Sequence, residues 1–226
     1  WVAKKSEVGI PYYIGQHGNS YGTLRRTLTL PDVNTPVKFF SWGWSDVYKN
    51  TKIIPAFVFN TIKKNHISLN KKGGLLLIGE PIPGEGGWCQ DQFHEHILYQ
   101  KRILCFLTAL GEPIISRTTF RLHGSYRKRE IFDSNIWKSA HPSLVIDSGV
   151  DNFFIAISKS RLPVFSYEST GVLQCLSLNI PLVFFWHNGL DDLFPEAIPI
   201  YKLLIEAEIL HENPESAAEH IIKYWD

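Results

Sequence analysis

Three short stretches of this chain collect residues that can move a proton or hold an anion. The first is Gly15-Gln16-His17-Gly18-Asn19-Ser20-Tyr21-Gly22, where an imidazole stands between glycines. Imidazole takes up a proton near neutral pH, and glycine neighbours allow close backbone approach and φ > 0. The second is Arg117-Thr118-Thr119-Phe120-Arg121-Leu122-His123. As a strand, it would send Arg117, Thr119, Arg121 and His123 to one face. Arg121 and His123 at its end can hold a phosphate, the guanidinium through paired donors and the imidazole through one more. The third is Ser166-Tyr167-Glu168-Ser169-Thr170-Gly171, ahead of an apolar helical run. Hydroxyls and N–H groups at a helix start form an anion site, helped by the macrodipole. Each stretch also has a plain alternative: a glycine-rich turn with an exposed histidine, an edge strand with a solvated basic face, and an ordinary N-cap.

The elements that must position these groups alternate β-rich and helical runs, which predicts an α/β fold with a mostly parallel sheet. Strands are expected at residues 11–15, 37–42, 74–78, 116–122, 144–147, 163–166 and 181–185. Helices are expected at residues 91–110, 151–160, 171–178, 196–207 and 214–224. In the first of these, Phe93, Ile97, Ile103, Leu104 and Leu107 share one broad face, and Asn213-Pro214-Glu215 marks the start of the last. All three chemical stretches then follow strand ends, where an open α/β sheet binds its ligand. The polar segment NHISLNKKGG at 65–74 predicts a boundary, with residues 1–70 ending one α/β domain and residues 71–226 making most of a second.

Other motifs carry less. His94-Glu95-His96 has metal-site lettering, but positions i and i+2 of a helix do not face each other. Gly84-Glu85-Gly86-Gly87 lacks the Gly-Lys-Ser/Thr of a phosphate-binding P-loop. Tyr126-Arg127-Lys128-Arg129 reads as a solvated turn, and His141-Pro142 as a helix stop. Cys89, Cys105 and Cys175 have neither pairing nor metal spacing, so three free thiols in a reducing cytoplasm are expected. A net charge of +1 gives no electrostatic reason for a nucleic-acid partner, and no apolar run approaches the roughly 20 residues that span a bilayer. The chain has no methionine and opens on WVAKK, which reads as the tail of a helix; both suggest part of a longer protein.

In order along the chain, IGQHGNSYGT, FFSWGWSD, DQF, FRLHGSYRKREIFDSNIW, SYESTGVLQCLSLNIPLVFFW and AEILHENPESAAEHI resemble a family of transferases from bacterial surface-carbohydrate (lipopolysaccharide or capsule) gene clusters. More distantly the layout is similar to the CDP-glycerol glycerophosphotransferases of teichoic-acid synthesis. The resemblance implies a GT-B-like fold of two Rossmann-like domains, of which this chain is the C-terminal part. Residues 1–70 would belong to the acceptor side and residues 71–226 would bind the nucleotide donor. It implies a cytoplasmic glycosyltransferase, with peripheral association at the inner membrane left open. The implied partners are a nucleotide-activated sugar and a glycan or lipid-linked glycan acceptor, with no nucleic acid and no cofactor. His17 would be the base that activates the acceptor, its loop supported by Gly15, Gln16 and Gly18. Arg121, His123, Ser169 and Thr170 would hold the donor phosphate, and Asp192 would lie near the ribose or sugar. No Asp-x-Asp pair stands at a predicted strand end, so no catalytic metal is expected. A polyol-phosphate transferase, a nucleotide-sugar-binding module without turnover and an epimerase are the competing readings.

Overall fold

The computed structural model describes residues 2–25, 31–45, 52–56, 59, 67–81, 92–126, 134–186 and 189–225, without the side chains of residues 92–95 and 134. Gly84-Glu85-Gly86-Gly87, Cys89, Arg127-Lys128-Arg129 and His187-Asn188, together with the side chains of His94 and Glu95, lie outside what is described.

A three-stranded parallel sheet comes first, in the order β1 (Tyr13–Gly15), β2 (Lys38–Ser41), β3 (Ile53–Pro55). Helix α1 (Val2–Ser6) precedes it and α2 (Pro31–Asn34) lies between β1 and β2. The core here is small: Tyr21, Val33 and Phe39, with Ile14, Trp44 and Ile53 packed around them.

The second sheet has six parallel strands: β4 (Leu75–Ile78), β5 (Thr118–Arg121), β6 (Val145–Asp147), β7 (Leu162–Phe165), β8 (Val183–Phe185) and β9 (Leu210–His211). Their spatial order is β6-β5-β4-β7-β8-β9. Counted within the sheet this is three-two-one-four-five-six, the order of a doubly wound nucleotide-binding sheet, which reverses direction between β4 and β7. Period-two alternation puts Leu75 and Leu77 on one face, Leu76 and Ile78 on the other, and both faces are covered. On the first face lie α3 (Gln92–Leu110), through Ile103, Phe106 and Leu107, and α9 (Pro214–Lys223), through Ala217 and Ile221. On the second lie α6 (Phe153–Lys159), α7 (Thr170–Ser177) and α8 (Ile198–Glu206), represented by Ile157, Val172, Cys175 and Tyr201. Two further helices, α4 (Glu112–Ile115) and α5 (Ser134–Ala140), flank β5.

The expected α/β fold with parallel sheets is therefore present, and each expected strand and helix is found, most of them a residue or two shorter at the ends. The short strands β3 and β9 and the helices α2, α4 and α5 were not expected. Strand β5 is not the edge strand of the plain alternative, because β4 and β6 pair on either side of it. Arg121 is buried there, while Arg117 is exposed and donates to the Lys72 and Gly73 carbonyls at 3.0 and 2.9 Å. The guanidinium groups of Arg117 and Arg161 also lie over the Trp225 ring, 5.8 and 4.8 Å from its centroid.

The two sheets meet at a seam. Leu24 bridges Leu193, Phe194 N–H donates to the Thr23 carbonyl at 2.8 Å, and Arg25 Nε donates to the Leu193 carbonyl at 2.7 Å.

Candidate functional site

At the reversal point the chain leaves β4 through Gly79 and β7 through Ser166, and these exits frame a cavity of about 470 Å³. Arg121, His123, Ser169 and Thr170 all line it, so the structure brings the four candidate phosphate residues together. No carboxylate belongs to its described lining, which leaves the wall rich in donors.

Close backbone packing makes the floor. A Cβ on Gly171 would sit 2.7 Å from the Phe165 ring, so glycine lets α7 begin directly against the sheet. Tyr99 reaches in from α3: it accepts from Glu80 N–H at 2.9 Å and donates to Ser166 Oγ at 3.0 Å, and Ser166 Oγ donates to the Ile78 carbonyl at 2.9 Å. This buried chain fixes the exits of β4 and β7 to each other, and burial holds the Tyr99 phenol well above its ordinary pKa.

Ser169 occupies the N-cap of α7 with extended backbone, yet its hydroxyl makes no cap hydrogen bond. Asn152 and Asn213 do cap their helices, accepting from Phe154 N–H and Ser216 N–H. The ordinary-cap alternative therefore does not describe the Ser169 side chain. Its hydroxyl instead meets the Tyr167 phenol, which burial pushes up to about 12.

Arg121 donates to Asp147 Oδ2 at 2.7 Å and also to the Asp151 carbonyl. Its charge is already partnered, and two of its five N–H groups tie down the loop after β6. His123 is exposed; Ser125 N–H donates to its Nδ1 at 3.2 Å, which puts the neutral ring's proton on Nε2.

His17 is exposed in the loop after β1 and does not line the cavity. Asn19 does, and two residues span at most about 7 Å, so the His17 backbone lies within that distance of a lining residue. The Tyr21 hydroxyl lies 3.2 Å from His17 Nδ1 and donates to Asp32 Oδ2 at 2.8 Å. Burial and Asp32 raise the phenol's pKa, so a neutral Tyr21 orients the ring. Gln16 is the main tie of this loop: Nε2 donates to the Gly18 carbonyl at 2.6 Å, and Oε1 accepts from Trp42 N–H at 2.8 Å and Trp44 Nε1–H at 2.7 Å. Of the glycines in this loop, Gly22 takes up the φ > 0 that they allow, at 74°, and a Cβ there would sit 2.5 Å from the Trp44 indole; Gly15 and Gly18 do not have positive φ.

Asp192 ends a turn of 3-10 helix (Leu190–Asp192), half-buried on the seam and outside the cavity wall. Sequence reasoning missed Asn19, Tyr99 and Gly79. A glycine directly after the first strand of the larger sheet was the available signal for Gly79; nothing local marked the other two. Among the described residues no three His, Cys, Asp or Glu side chains cluster for a metal, and no helix is long and apolar enough to cross a membrane.

A six-stranded parallel sheet with this strand order and a cavity at its reversal point defines a Rossmann-like α/β protein. The model of the LIC12162 family transferases matches residues 1–226, and the chain belongs to that family. A comparison with curated proteins returned no match.

Proposed function

We propose that this transferase moves a sugar from a nucleotide-activated donor to a hydroxyl of a growing surface glycan, on a GT-B plan. Residues 1–70 serve the acceptor side and residues 71–226 hold the donor. The carrying observation is the Ser169 hydroxyl, released from capping at the start of α7 and lining a cavity without described carboxylates. The donor phosphate rests on Ser169, Thr170 and His123. Arg121 adds positive potential while holding the loop after β6, and charge growing on the leaving phosphate is stabilised there. His17, oriented by Tyr21 and Asp32, accepts the acceptor's proton. Asp192, on the seam, is the acidic group assigned to the ribose or sugar. The reaction is assigned no catalytic metal, and its place is the cytoplasm, at the inner face of the membrane that carries the acceptor.

The test is a thermal-shift panel of CMP-, CDP-, UDP-, GDP- and dTDP-linked sugars, followed by product detection with an acceptor glycan. One donor class should raise the melting temperature and yield transferred sugar. Failure of every donor to stabilise the protein would overturn the reading.

A further inference from the structure

The cavity's described lining runs from Ile78 to Gln174 with a single outsider, Asn19, which arrives from the loop after β1. The Asn19 amide nitrogen is shielded from solvent and has no hydrogen-bond partner. Polar groups in such places are nearly always paired, and an unpaired one is costly in proportion to its desolvation. The backbone around it is held: Thr23 Oγ1 lies 3.4 Å from the Asn19 carbonyl and 3.5 Å from Glu168 Oε1, within the turn that presents Ser169. Gln16 fixes the residue just before, through the Gly18 carbonyl. An amide with unmet donor capacity is thus fastened at the edge of a cavity whose other polar groups include Arg121, Ser169 and Thr170.

We infer that Asn19 is a ligand-contacting residue, donating from its amide to a phosphate oxygen of the bound diphosphate. Rotation about its terminal torsion turns the N–H pair towards the cavity. The ligand class follows from the wall. Donors from both sheets, with no described carboxylate among them, suit an acceptor-rich anion better than a neutral hydroxyl, which needs acceptors in return. This rests on the phosphate reading of the cavity and extends it, since the small sheet then contributes to donor binding as well as to acceptor chemistry.

The experiment titrates inorganic pyrophosphate and UDP into the full chain by calorimetry, with Asn19→Ala, Asn19→Asp and Ser169→Ala alongside and melting curves for each. Loss of one hydrogen bond to a charged group lowers affinity by about tenfold, the result expected for Asn19→Ala. Asn19→Asp sets a like charge against the phosphate and should bind more weakly still. If both Asn19 variants bind as the unaltered chain does while Ser169→Ala is weakened, the inference falls and the cavity reading survives. If Ser169→Ala also binds unchanged, or neither probe binds the unaltered chain, both fall. Equal losses in Asn19→Ala and Asn19→Asp that track a lower melting temperature would assign Asn19 to loop packing and overturn the inference.

Discussion

The loop after β1 and the loop after β7 carry the two halves of the proposed chemistry, yet they are made rigid by opposite means. The β7 loop stands on buried strands: every residue of β4 and β8 is buried, and Phe165 and Val164 of β7 are sealed completely. Its position is set by apolar packing from both faces and tightened by the Tyr99–Ser166 chain. The β1 loop stands on three short strands, two of which have no buried residue, above one fully buried aromatic, Phe39. Side-chain hydrogen bonds take over there. Gln16 ties the loop to Trp42 and Trp44, and Tyr21 ties His17 to Asp32. A site can be fixed by a core beneath it or by polar contacts within it, and the second leaves the loop more sensitive to single polar substitutions.

The contrast can be broken in four ways. The largest effect is expected from His17→Ala, which should lower kcat by roughly 10²–10⁴ while donor Kd changes little. Equal loss of donor affinity and turnover would make His17 a donor ligand instead, and wild-type turnover would leave it a loop residue. Next, Gln16→Ala strands the Trp42 and Trp44 N–H groups and should destabilise the fold by about 1–3 kcal/mol in denaturant titrations. A negligible change would mean that the small core alone holds the loop. Third, the Ser169→Ala/Thr170→Ala double variant should weaken donor binding by about tenfold or more. Because the Ser169 hydroxyl is not a cap, the usual loss of about 1 kcal/mol for a missing cap should be absent from its folding stability. A large melting loss with intact affinity would reverse that assignment.

The smallest effect is a pH dependence far from the cavity. Burial lowers the pKa of His211 from its ordinary 6.5, with nearby His220 adding to the shift and the Glu208 carbonyl opposing it. Below about 6.5 the unfolded chain therefore binds more protons at this residue than the folded one. The contribution is complete above that pH, declines as pH falls, and levels off below the folded value. His211→Asn should flatten this part of the stability profile, and an unchanged slope would remove His211 as its source.

Much of this was legible in the sequence because the larger sheet obeys local rules. Leu75-Leu76-Leu77-Ile78 is long and apolar enough to be a buried strand, and Asn213-Pro214 announces a helix on its own. The 2-residue strand Leu210–His211 has no such pattern; it exists because β8 offers it a partner. Arg121 and His123 were found by alternation, but the same alternation could not tell an inner strand from an edge, since that depends on β6 arriving 24 residues later. Within the site, Ser169 and Thr170 were marked by type and position. Asn19 was not, because its meaning comes from a seam between residues far apart in the chain.

At the opposite end of the larger sheet, the Trp225 ring lies beneath Arg117 and Arg161. The π face of an indole is electron-rich and attracts both cations, so the ring serves as a counter-ion that carries no formal charge. The open end uses one that does: the Asp147 carboxylate beside Arg121. The two ends of one sheet are thus neutralised by different chemistries, a ring quadrupole at the closed end and a full negative charge at the end facing the cavity.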